Sequence, residues 1–121
     1  VMVAILGCFN QLRKDKWDDY ELAEMAFQAE RVNMGISGGW QDQYATVFGG
    51  FNFIEFKQDN NLIYPLRLKR KTILELQENL ILFNVTSGRN SGSIHDDQKI
   101  EMQHTKVQDL VKQNVDHCYT A

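Results

Sequence analysis

Two glycine pairs, Gly38-Gly39 and Gly49-Gly50, bracket the stretch Trp40-Gln41-Asp42-Gln43-Tyr44-Ala45-Thr46-Val47-Phe48 and confine any helix there to a short run over 41–48. Glycine is costly inside a helix and permissive at its ends, so these pairs act as punctuation. A helix-like segment ends near Asn33, ahead of the first pair. Asp42 then falls in the first turn of the short run, where unpaired backbone N–H groups and the positive end of the helix dipole favour a negative charge. The residue types propose a fixed, ionised acid beside flexible backbone. An ordinary acidic helix start after a glycine turn accounts for the same pattern.

The rest of the chain reads as alternating helical and extended segments. Residues 1–13 are apolar on almost every side, which predicts a helix buried in a core, although Val3, Ile5 and Phe9 also fit a strand. Asp18-Asp19-Tyr20-Glu21 is a capping box, and Leu22, Met25, Ala26, Ala29 and Val32 follow at helical spacing as a core-facing stripe. Glu30 lies near the end of that helix, where the dipole disfavours an anion, so Arg31 or water is its expected partner. Residues 50–56 alternate aromatic and polar, Asp59-Asn60-Asn61 supplies turn chemistry rather than a calcium loop, and residues 62–68 supply a second strand, a β-hairpin. Pro65 places that second strand at an edge.

A short helix is expected over 72–79 and a buried strand over the apolar run Leu80-Ile81-Leu82-Phe83-Asn84-Val85. The loop over 86–93 follows, with hydroxyls, glycines and Arg89, a combination that holds phosphate or serves as a plain polar connection. Residues 94–101 and 105–118 read as helices, or as one helix bent near His104, with Val107, Leu110, Val111 and Val115 as an apolar stripe.

At 121 residues with a formal net charge of -3, the chain carries no nucleic-acid footprint and no attraction to an anionic membrane. No apolar run approaches the roughly 20 residues that span a bilayer, and no basic leader opens the sequence, which points to the cytoplasm. Cys8 and Cys118 lack metal-type spacing and are expected to be reduced and structural. His95, His104 and His117 are too irregularly placed for a metal site and are expected on the surface.

Gly38-Gly39-Trp40-Gln41-Asp42-Gln43-Tyr44-Ala45, closed by Phe48-Gly49-Gly50-Phe51-Asn52, resembles the GHMP small-molecule kinases, and most closely the bacterial D-glycero-D-manno-heptose 7-phosphate kinases among them. Galactokinases carry a similar Gly-x-x-Asp-Gln, with a glutamate as far upstream as Glu30 is from Asp42. Trp40 departs from the pattern, because many heptose kinases have lysine there. The resemblance implies an α/β fold, an α+β two-layer GHMP arrangement, with 1–68 in the N-terminal lobe and 69–121 opening the C-terminal lobe. A boundary is expected within 57–71.

The same resemblance implies ATP and Mg²⁺ as cofactors and a sugar phosphate as substrate, namely a heptose 7-phosphate phosphorylated at its anomeric hydroxyl. Asp42 would orient that hydroxyl and receive its proton, and Glu30 would help hold Mg²⁺. Gly38, Gly39, Gln41, Asp42 and Arg89 would contact the substrate, Arg89 through its existing phosphate. Family members have a glycine- and serine-rich phosphate loop before the first helix. Its absence from this sequence leads to the expectation of an internal piece of a longer kinase, inactive by itself. Neither nucleic acid nor membrane is expected as a partner, and a homo-oligomer is left open. The alternatives are a kinase acting on fucose or galactose, a non-catalytic sugar-binding protein of the same fold, and a purely structural interaction module.

Overall fold

Asn10 fixes how the first two helices meet. The computed structural model describes residues 1–84 and 91–120, and in it α1 (Met2–Leu12) turns into α2 (Asp19–Phe27) over a loop clasped by this one side chain. The Asn10 amide donates to the Trp17 carbonyl at 3.0 Å, and its Oδ1 accepts from the Trp17 N–H at 2.8 Å. Asn10 is the buried residue of α1. The expected burial of α1 is not met: Ile5, Phe9 and Leu12 are exposed, Phe9 at 60%. Its packing comes from α2 and, less extensively, α3 (Gln41–Phe48), so one flank is covered while the pattern is apolar all round.

The capping box opens α2 as the sequence predicts. Glu21 N–H donates to Asp18 Oδ1 at 2.8 Å, and Asp18 N–H donates to Glu21 Oε2 at 2.9 Å, which satisfies two of the orphan donors of a helix start. Ala23 and Ala26 are fully buried, and their small side chains let α3 pack closely on α2. The expected stripe is only partly realised, since Met25 and Val32 are exposed. From Gln28 to Asn33 the helix widens into a π-helical turn. Each π turn takes up more residues than an α turn, so positions beyond Phe27 rotate away from the face that α-helical spacing assigns them.

Aromatic rings join α2, α3 and the hairpin. Tyr44 is buried, Tyr20 meets Phe48 edge-on at 4.9 Å, and Tyr44 meets Phe56 edge-on at 5.8 Å. The hairpin pairs β1 (Asn52–Phe56) with β2 (Asn61–Pro65) antiparallel, Ile54 opposite Ile63 and Asn52 opposite Pro65. Among the described residues the sheet has two strands, so Pro65 sits on an edge as expected. Tyr20 Oη accepts from the Ile63 N–H at 3.2 Å and ties the hairpin to α2.

Helix α4 (Arg70–Asn79) covers the expected short helix. The strand expected next does not form: residues 80–84 have no regular structure, and Leu82 is 99% exposed. A strand apolar on both faces needs a ladder partner and a layer on each side, and among the described residues none pairs with it. Val85 and most of the loop that follows lie outside the described residues. Residues 91–93, expected as loop, instead open α5 (Ser91–Glu101).

Residues 36–38, α5 and α6 (Thr105–Thr120) form a second compact unit. Helices α5 and α6 are separate, divided by a turn in which His104 N–H donates to the Glu101 carbonyl at 3.0 Å. Ser37 Oγ donates to Asp96 Oδ1 at 2.5 Å within this unit. Of the expected stripe on α6, Leu110, Val111 and Val115 are exposed. Cys8 and Cys118 are free, in keeping with the expected reduced state, and exposed, which leaves them without the structural role expected of them. No helix among the described residues is long and apolar enough to cross a membrane. The whole is a mixed fold of helices and a small antiparallel sheet.

Candidate active site

Consecutive residues of the π-helical turn reach consecutive residues of α3. The Gln43 amide donates from Nε2 to Glu30 Oε2 at 2.5 Å. One position along, Arg31 Nη2 lies 3.3 Å from Asp42 Oδ2. The two acids of the sequence motif are thus tied into one seam between two elements. Sequence reading offered Arg31 or water as the partner of Glu30. In the structure the amide of Gln43 takes that carboxylate, and Arg31 extends to Asp42.

The burial of the four side chains is unequal. Gln43 is 2% exposed, whereas the Asp42 side chain is 81% exposed and that of Arg31 only 11%. Asp42 stands in the first turn of α3, whose N-cap, Trp40, makes no side-chain capping bond. The helix dipole and the adjacent guanidinium therefore both act on an anion that remains open to solvent. Trp40 anchors this helix start by stacking on Phe27, with ring centroids 4.5 Å apart and planes 14° from parallel.

Gln43 carries an unusual burden. Its Oε1 is buried and has no hydrogen-bond partner, a condition that typically costs about 1–3 kcal/mol. Turning the amide over would set Oε1 against the Glu30 carboxylate, one acceptor facing another, so the bond to Glu30 fixes which end is satisfied. Among the described residues, no three His, Cys, Asp or Glu side chains converge as a metal cage. The nearby donors are carboxylate and amide oxygens. Such a set fits Mg²⁺, which takes one or two carboxylates and completes its shell with water and substrate phosphates.

The remaining residues singled out in the sequence are more dispersed. Gln41 opens α3 and is exposed, and Gly39 has open space where a Cβ would stand. Gly38 groups with Ile36 and Ser37 in the second unit. Arg89 lies outside the described residues. The glycines whose backbone demands glycine are others: Gly35 has φ 65° and Gly50 φ 70°, and Gly49, at φ 58° and ψ 177°, turns the chain from α3 into β1.

A cleft of about 690 Å³ opens beside this seam, lined by Glu24, Trp40, Tyr44, Phe56 and the hairpin tip. Neither Glu30 nor Asp42 lines it. Burial pushes the Tyr44 phenol up from its ordinary range; a hydrogen bond with Asn61 opposes this shift, and the charge of Glu24 adds to it.

Sequence reasoning missed Gln43 and the reach of Arg31. Their signal was adjacency, since each motif acid has a polar neighbour, Arg31 after Glu30 and Gln43 after Asp42.

Residues 1–50 match the GHMP kinases N terminal domain. The chain is 35% identical to the D-glycero-alpha-D-manno-heptose 7-phosphate kinase of Campylobacter jejuni, in an alignment that takes in 93% of this chain and 36% of that protein. It is also similar to the crystal structure of a D-glycero-D-manno-heptose 1-phosphate kinase from Bacteriodes thetaiotaomicron, with TM-score 0.59 and 44% identity over 61% of this chain and 24% of that one. The chain thus spans about a third of the curated relative's length and about a quarter of the solved one's. Residues 1–50, the part of the chain that matches the GHMP kinases N terminal domain, hold both Glu30 and Asp42.

Proposed function

We propose that the protein carrying this chain is an ATP-dependent sugar-phosphate kinase of the cytoplasm, acting on the anomeric hydroxyl of a heptose 7-phosphate to give the 1,7-bisphosphate of nucleotide-activated heptose biosynthesis. In this reading residues 1–68 belong to the acid-bearing lobe and 69–121 begin the next. The observation that carries the proposal is the seam itself: an exposed Asp42 carboxylate at a helix start, held by Arg31, one residue away from the part-buried Gln43–Glu30 pair.

Phosphoryl transfer needs positioning and charge neutralisation more than covalent help from the protein. Asp42 accepts a hydrogen bond from the sugar hydroxyl and takes its proton as the oxygen bonds to the γ-phosphorus. The bond from that phosphorus to the bridging oxygen breaks, and ADP leaves with the electron pair. Arg31 keeps the Asp42 carboxylate oriented toward the acceptor. Glu30 would hold Mg²⁺, whose chemistry when bound is to neutralise nucleotide phosphate charge. Gly38, Gly39 and Gln41 are assigned contacts with the sugar, and Arg89 is assigned the substrate's existing phosphate.

A second reading comes from the relatives themselves. One is described as acting on the 7-phosphate and the other on the 1-phosphate, so the accepting hydroxyl differs between them. A panel of heptose 7-phosphate, heptose 1-phosphate, galactose and fucose, assayed for ADP release by the full-length protein, separates the readings. Turnover highest with the 7-phosphate supports the proposal. Preference for another sugar replaces the substrate, and sugar binding without ADP release rejects the kinase reading.

A further inference from the structure

We infer that Gln43 is a positioning residue for the Glu30 carboxylate and so sets the affinity of the site for its metal–nucleotide complex; this rests on the kinase reading above. Packing alone does not call for glutamine here. A methionine or leucine would fill a site that is 2% exposed without stranding a polar atom, yet the chain keeps an amide whose Oε1 has no partner. What the amide provides is one short bond, from Nε2 to Glu30 Oε2 at 2.5 Å. Holding one carboxylate oxygen from inside the protein restricts rotation of the group, and a ligating carboxylate fixed in this way binds a cation with less loss of freedom.

The local backbone supports the assignment. Glu30 stands on the π-helical turn, where Met34 N–H donates to the Ala29 carbonyl at 3.1 Å. Such a turn departs from α-helical phase, and the Gln43 bond spans from it to α3, the helix that packs against α2, of which the π-helical turn is the continuation. The amide thus couples the orientation of Glu30 to the helix that presents Asp42.

The test uses the full-length protein and three variants. Gln43→Met keeps length and removes the donor, Gln43→Asn keeps an amide but withdraws it by a methylene, and Glu30→Gln removes the ligand charge. Gln43→Met should raise the Mg²⁺ concentration for half-maximal turnover by about 10-fold or more, with the sugar KM unchanged. Calorimetric titration with Mg²⁺–ADP should show a matching loss of affinity. Gln43→Asn should fall between the wild type and Gln43→Met, and it carries the same test should Gln43→Met not fold. Unchanged Mg²⁺ dependence and Mg²⁺–ADP affinity in the Gln43 variants, whatever the melting temperature does, overturns the inference. If Glu30→Gln then weakens both, only the role of Gln43 fails; if Glu30→Gln also changes neither, the metal role of Glu30 falls with it.

Discussion

Arg31 and Asp42 form an ion pair at 3.3 Å in which the cation is nearly enclosed and the anion nearly free, with side-chain exposures of 11% and 81%. The asymmetry suits the role proposed for Asp42, an acid that meets a ligand while staying in place. Because Asp42 is solvated, the pair should add little to folding. A double-mutant cycle of Arg31→Met and Asp42→Asn, followed by urea unfolding, should give a coupling energy of at most about 1 kcal/mol. A coupling of several kcal/mol would mean that the pair is a structural clamp.

Gly49 should be far less replaceable than Gly39. At φ 58° and ψ 177° Gly49 occupies backbone space that other residues rarely enter, whereas Gly39 lacks a positive φ and has open space around its missing Cβ. Gly49→Ala should cost about 1–3 kcal/mol of stability. Gly39→Ala should stay within about 0.5 kcal/mol. Denaturant midpoints of the two variants check the contrast, and equal losses would contradict it.

Alkaline conditions should destabilise the fold through Tyr44. Burial raises its phenol above the ordinary value of 10.0, so as pH rises the unfolded chain loses this proton before the folded one does. Above that value the unfolded state binds fewer protons, and stability falls with pH until the folded phenol also ionises. Tyr44→Phe should flatten the decline in melting temperature above about pH 10. A decline of the same slope in the variant would assign the effect to other groups.

Much of the fold was legible where local chemistry decides the outcome. The Asp18–Glu21 capping box, the short helix between glycine pairs and the hairpin with Pro65 at its edge all depend on neighbours in sequence, and all form. Burial was less legible, because it depends on what lies opposite. The apolar residues of α1 and of 80–84 read as core but are largely exposed among the described residues. The π-helical turn was invisible to a search at α-helical spacing, which is why Val32 was assigned to the wrong face. At the site, the two acids could be picked out from their motif. Their partners could not, since a bond from Gln43 to Glu30 depends on how α3 packs against the preceding helix.

The central claim is that Asp42 acts on the reacting hydroxyl rather than on binding or folding. The measurement that tests it most directly is single-turnover phosphoryl transfer by full-length Asp42→Asn, set beside the sugar-phosphate dissociation constant of the same protein. Loss of a positioned general base should slow the chemical step by about 10²–10⁴-fold, with the dissociation constant changed by no more than about threefold, below the tenfold that 1.4 kcal/mol would produce. A variant that transfers phosphate at the wild-type rate would contradict the account.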